Sequence, residues 1–131
     1  MDSIAMMYQE QILDHYKNPR NFGKIANASV EHHEKNPLCG DEIDMFFVID
    51  KNKKIADVKF SGHGCAISQA SASMLTESIK GKGIEELKKL TKENILELLG
   101  IPLSPVRLKC GLLSLDTLKN SILIYEKYVN K

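Results

Sequence analysis

The sequence predicts an α+β domain: a small three-stranded antiparallel sheet with helices packed on one face. Apolar residues hold every second position over 43–49 and again over 56–60, the period of strands that bury one face. The remaining apolar residues recur three or four positions apart, as on helices that pack one stripe against a core. The strands cluster in the first half and the helices follow, a segregation typical of α+β rather than alternating α/β chains. With 131 residues and a 43% hydrophobic composition, one core is expected, and residues 1–131 read as one domain.

A first helix is carried by Ile4, Tyr8, Ile12 and Tyr16 and stops at Asn18-Pro19, because proline disfavours helix in the residue before it. Residues 20–36 are polar and contain glycine and asparagine; Val30 and its neighbours suggest a short edge strand. Ile43, Met45, Phe47 and Ile49 then mark a strand against Asp44, Phe46, Val48 and Asp50. After a polar turn over 51–53, a second strand is expected over 54–60, with Ala56, Val58 and Phe60 on one face. A helix over 65–80 carries Ile67, Ala70, Met74, Leu75 and Ile79, with Gly81 as its C-cap. Thr91 is the expected N-cap of a helix over 92–99, which Gly100 and Pro102 stop. The longest helix shows Leu108, Leu112, Leu115, Leu118, Ile122, Tyr125 and Val129 along one stripe.

Composition excludes several functions. Eighteen basic and seventeen acidic side chains give a net charge of +1, which offers no field for nucleic acid or an anionic membrane. Residues 1–7 lack the basic region and continuous apolar run of a signal peptide, and no stretch approaches the ~18 apolar residues of a membrane span. A cytoplasmic location is expected. Three cysteines cannot all pair within one chain, and reduced thiols there point to metal or sulfur chemistry rather than a disulfide framework.

Each cysteine lies at an element junction, where a scaffold presents functional groups. Cys65 follows Gly62-His63-Gly64 and opens a helix, whose free N–H groups and positive dipole end favour an anionic sulfur. Cys110 stands at the start of the last helix with Arg107 and Lys109 nearby, cations that also favour thiolate. A packed core cysteine is the alternative at either position. Cys39 and Asp41 are separated only by Gly40, so both side chains can face one point; alternatively, Asp41 caps a local turn. Three thiols and one carboxylate form a mixed donor set suited to zinc or to iron in an iron-sulfur cluster. The harder oxygen donor makes bound cargo easier to release.

Asn36-Pro37-Leu38-Cys39-Gly40-Asp41, the segment from Gly62-His63-Gly64-Cys65 through Ser73, Arg107-Leu108-Lys109-Cys110, and Leu13 through Asn21 together resemble the iron-sulfur cluster scaffold family of IscU, SufU and the NifU N-terminal domain. The resemblance spans nearly the whole chain. It implies a compact α+β scaffold that accepts sulfur from a cysteine desulfurase, builds a labile [2Fe-2S] cluster, and passes it to recipient apo iron-sulfur proteins. Cys39, Asp41, Cys65 and Cys110 match the family's metal-site positions, with Cys110 the candidate persulfide acceptor.

Two departures pull in opposite directions. Lys109 stands where IscU-type chains carry histidine, and it leans toward SufU, a zinc-dependent sulfur acceptor that activates the desulfurase without carrying a cluster. The interval from Cys65 to Cys110 lacks the extra segment usual in SufU-type chains and leans toward IscU. Leu103-Ser104-Pro105-Val106-Arg107 matches the IscU chaperone-docking motif only loosely, so an Hsp70-type chaperone is not an expected partner. His63 is a candidate extra ligand or proton carrier, and otherwise a turn histidine. Lys109 reads as a shield, an anchor for an anionic persulfide, or a solvated lysine.

Overall fold

The computed structural model describes residues 3–37 and 40–129, with side chains in the first helix described from Tyr8 onward. Leu38 and the candidate ligand Cys39 lie outside the described residues, as does the Ile4 side chain. The element order is α1 (Ser3–Lys17), β1 (Val30–Lys35), β2 (Glu42–Ile49), β3 (Ile55–His63), α2 (Ala66–Ile79), α3 (Ile84–Leu87), α4 (Lys92–Leu99) and α5 (Pro105–Val129). The strands form one antiparallel sheet in the order β1-β2-β3.

The pleat divides the sheet into two chemically different faces. Val30 pairs with Phe47, and Met45 with Phe60, so Ile43, Met45, Phe47, Val58 and Phe60 all point inward and are buried. The outer face carries His33 opposite Asp44 and Glu42 opposite His63. The β2–β3 turn is built by Asp50, whose Oδ1 accepts the N–H groups of Asn52 and Lys54 at 2.9 and 3.0 Å. One expectation is corrected here: Ala56 is exposed, and Ile55 is buried instead. Val48 pairs with Asp57 and Ile49 with Ile55, so Ala56 is the extra residue of a β-bulge that resets the phase of the strand.

α2 is the central helix, in contact with α1, α4, α5 and β3. The periodic stripe of Ala70, Met74, Leu75 and Ile79 is buried as expected, but so is every residue from Ser68 to Thr76. Small side chains permit this close packing, and their hydroxyls find partners. Ser71 Oγ donates to the Gly111 carbonyl at 2.7 Å and lies 2.9 Å from Ser114 Oγ, joining α2 to α5. Ser73 Oγ accepts the Arg20 N–H at 2.8 Å and meets His15 Nδ1 at 2.7 Å, joining α2 to α1. α2 ends with Lys80 rather than Gly81 as its C-cap; Gly81 instead turns at φ +83° and donates its N–H to the Ile55 carbonyl.

α4 begins as expected at Thr91, whose N–H bonds Asn94 Oδ1 at 2.8 Å, and closes at Gly100 in the left-handed conformation. α3 was not anticipated, because one turn anchored by buried Ile84 and Leu87 is too short to show periodicity. α5 starts at Ser104-Pro105, with Ser104 Oγ accepting the Arg107 N–H at 3.3 Å and proline at the first helical position. Leu115, Leu118 and Ile122 of its stripe are buried, whereas Leu108, Leu112 and Tyr125 are half-buried and Val129 is exposed. The helix outruns the core it packs against. Among the described residues, no helix is long and apolar enough to cross a membrane.

Candidate metal centre

Four element ends meet at one edge of the domain: the start of β2, the end of β3, and the starts of α2 and α5. Asp41 extends the inward-facing, odd-numbered series of β2 and is 3% exposed. Backbone bonds close the loop before it, from the Asn36 N–H to the Asp41 carbonyl at 2.8 Å and from the Gly40 N–H to the Asn36 carbonyl at 2.7 Å. Gly40 adopts φ +76°, a conformation glycine reaches without strain.

Cys65 is the N-cap residue of α2, in extended conformation, and its sulfur makes no capping bond to the helix. The cysteine is half-buried. Its N–H donates to Asp41 Oδ1 at 3.1 Å. The carboxylate therefore bonds the start of a helix 24 residues further along the chain. Gly64 makes this approach possible, with φ +152° and no side chain where a Cβ would stand 2.5 Å from Asp41 Oδ1.

Cys110 sits in the second turn of α5 and is fully buried. Its sulfur, the Cys65 sulfur and an Asp41 oxygen all lie within 4.8 Å of one another. Donors around a tetrahedral zinc with Zn–S near 2.3 Å stand about 3.8 Å apart, so the three groups need close by only about an ångström to share an ion. Two sulfurs and a carboxylate suit zinc and iron alike. The donor set fits a metal.

Arg107 lies beside the Cys65 sulfur; its interaction with that sulfur raises the guanidinium above its ordinary value, with Cys110 and Asp41 adding to the effect. The sequence places Arg107 and Lys109 on equal terms, and the structure separates them. Arg107 is one helical turn from Cys110 and shares its side of α5. Lys109 is exposed and lines a cleft of about 460 Å³ with Lys35, Asn36, Pro37, Leu112, Leu113 and Asp116. His63 is not brought into the group: its side chain is 73% exposed, and Nε2 donates to Glu42 Oε2 at 2.5 Å on the outer face.

The sequence profile of the NifU-like N-terminal domain matches residues 7–131. The chain belongs to the NifU-like N-terminal domain family. Within this family it is 40% identical over 119 residues to the iron-sulfur cluster assembly scaffold protein IscU 1 of Archaeoglobus fulgidus, covering 91% of this chain and 76% of that protein. It is 38% identical to the zinc-dependent sulfurtransferase SufU of Bacillus subtilis, with 92% of each chain covered. The crystal structure of a putative SUF-system scaffold protein from Fervidobacterium islandicum superposes with a TM-score of 0.77 at 38% identity, covering 89% of this chain and 97% of that one. The three-stranded antiparallel sheet with its helices is thus the architecture of the NifU-like N-terminal domain family.

Proposed function

We propose that the protein is an iron-sulfur cluster assembly scaffold that accepts sulfur from a cysteine desulfurase and holds iron while a labile [2Fe-2S] cluster forms for transfer to recipient apo proteins. The single observation that carries this reading is the convergence of Asp41, Cys65 and Cys110 within 4.8 Å, at a place where four element ends meet. Cys39 completes the ligand set by its position in the matching motif. The relatives named as assembly scaffolds support the same assignment, and a cytoplasmic setting is part of the same reading.

In this mechanism the Cys110 thiolate attacks the terminal sulfur of the desulfurase persulfide. A new S–S bond forms at Cys110, the old one breaks, and the desulfurase cysteine leaves as thiolate. Cys110 is buried at rest, so the first turns of α5 move when the donor docks. Arg107 stays beside the sulfurs and balances the negative charge that collects there. Asp41 supplies the hard donor from which cargo leaves most easily.

A second reading is favoured by Lys109, and the similarity to the zinc-dependent sulfurtransferase is compatible with it. Here the same residues hold zinc, which keeps the thiols deprotonated and grouped until the desulfurase engages, and the protein relays sulfur without carrying a cluster. Anaerobic reconstitution with iron, cysteine and a desulfurase separates the two. The scaffold develops visible cluster absorption and acid-labile sulfide. Tight zinc binding with stimulated desulfurase turnover and no cluster absorption identifies the relay and refutes the scaffold.

A further inference from the structure

The outer face of the sheet carries a polar chain that runs toward the candidate centre. Asp44 Oδ1 accepts from His33 Nδ1 at 2.7 Å, His33 Nε2 stands 3.4 Å from Glu42 Oε1, and Glu42 Oε2 accepts from His63 Nε2 at 2.5 Å. These four residues come from all three strands and occupy two rungs separated by that of Ile43, with Asp44 opposite His33 and Glu42 opposite His63. Glu42–His63 is the last rung of the β2–β3 ladder. Asp41 immediately precedes Glu42, Cys65 lies two residues beyond His63, and Cys65 N–H bonds Asp41 Oδ1.

Such an end is where a ladder frays. Here the backbone is unusually free, because Gly62 and Gly64 take φ +149° and +152° on either side of His63. Gly62 is required for close strand contact, since a Cβ there would stand 2.1 Å from the Glu42 carbonyl oxygen. His63 therefore carries the only side chain in the 62–64 arch, and that side chain is tied to the strand bearing Asp41. A cross-strand pair with a charged acceptor counters the freedom the glycines introduce.

We propose that the Glu42–His63 pair, braced through His33 and Asp44, is a positioning element that holds Asp41 and Cys65 at ligating distance, so the outer face of the sheet sets how long the centre keeps its metal or cluster. The inference rests on the metal-site reading above. Glu42 and His63 touch neither metal nor cargo; they act through the rung and the backbone on either side of it. Because the pair is on the opposite face from the sulfurs, a partner protein that engages Glu42 or His63 loosens the centre without touching a ligand.

The test uses the full chain with Glu42→Ala, His63→Ala and the conservative Glu42→Gln, whose amide oxygen still accepts from His63. In metal-free protein, amide hydrogen exchange of the Cys65 N–H is expected to quicken about tenfold in both alanine variants, with exchange in α5 unchanged and Glu42→Gln close to wild type. In zinc-loaded protein, release of zinc to a chelator is expected to quicken by a similar factor, with the same rescue. Wild-type exchange at Cys65 in both alanine variants overturns the proposal, as does equal acceleration across the whole fold, which marks general stability instead. If wild-type protein takes up neither zinc nor iron, the metal-site reading fails, while the exchange data still judge the rung.

Discussion

Asp41 and Gly64 occupy one volume between them: a Cβ added to Gly64 would stand 2.5 Å from both Cγ and Oδ1 of the Asp41 carboxylate. The glycine is thus what lets a buried carboxylate lie against the start of α2 and bond the Cys65 N–H.

Gly64→Ala is expected to act on stability and on metal at once. The backbone at φ +152° strains any side chain, and the methyl group displaces the Asp41 carboxylate, for a combined loss of about 1–3 kcal/mol. Urea unfolding reads this loss, and zinc titration against a competing chelator reads an accompanying drop in affinity of tenfold or more. Gly81→Ala is the control, since Gly81 also has positive φ but nothing within 4 Å of an added Cβ. It is expected to lose stability while keeping wild-type zinc affinity; unaltered affinity in Gly64→Ala as well would separate the glycine from the site.

Asp41→Cys tests the role of the hard ligand. An all-sulfur donor set holds zinc or a cluster more tightly, so chelator-driven loss of bound metal is expected to slow several-fold. The substitution also removes the oxygen that accepts the Cys65 N–H, costing about 1 kcal/mol of stability in the metal-free protein. Slow metal loss with reduced apo stability is the expected pair of results. Faster loss would mean that the carboxylate's contribution as a cap outweighs its weakness as a ligand.

The fold was legible where one periodicity acts alone. The strands at Ile43, Met45 and Phe47 and the cap at Thr91 follow from local rules, and the structure has them. Ala56 was misplaced because a bulge changes phase without a signature in alternation. α2 hid its burial because its serines count as polar on any hydropathy pattern, although Ser71 and Ser73 are satisfied by partners on α5 and α1. The unbroken run from Ala66 to Thr76 without a charged residue was the available signal. In the centre, Asp41, Cys65 and Cys110 lie within 4.8 Å of one another, while Cys39 lies outside the described residues. The roles of Arg107 and His63 were not legible, since both depend on which face of α5 or of the sheet each residue occupies.

Arg107 lies beside the Cys65 sulfur, whose attraction raises the guanidinium above its ordinary value. Peptide-resolved alkylation of metal-free protein is expected to modify Cys65 before Cys110, because Cys65 is half-buried and Cys110 fully so. In Arg107→Gln, which removes the cation beside the sulfur, alkylation of Cys65 at neutral pH is expected to slow several-fold. An unchanged rate would reduce Arg107 to a bystander. Lys109→Gln is the comparison that should leave Cys65 unchanged.

His15 links the fold to pH at a distance from the sulfurs. It is buried between α1 and α2, where Nδ1 and Ser73 Oγ share a hydrogen bond of 2.7 Å and Ser73 Oγ also accepts the Arg20 N–H. Burial lowers the affinity of His15 for a proton; Arg20 acts in the same direction, and Glu77 and Asp14 oppose it. The folded value therefore lies below the unfolded value of about 6.5, so the unfolded chain takes up the proton first on acidification. Stability from this site is fully present above about pH 6.5 and is lost as pH falls through that value, levelling off below the folded one. Urea midpoints compared at pH 7.5 and 5.5 are expected to fall in the wild type, and to fall less in His15→Gln, whose amide does not titrate. Equal falls in the two proteins would place the acid sensitivity elsewhere in the fold.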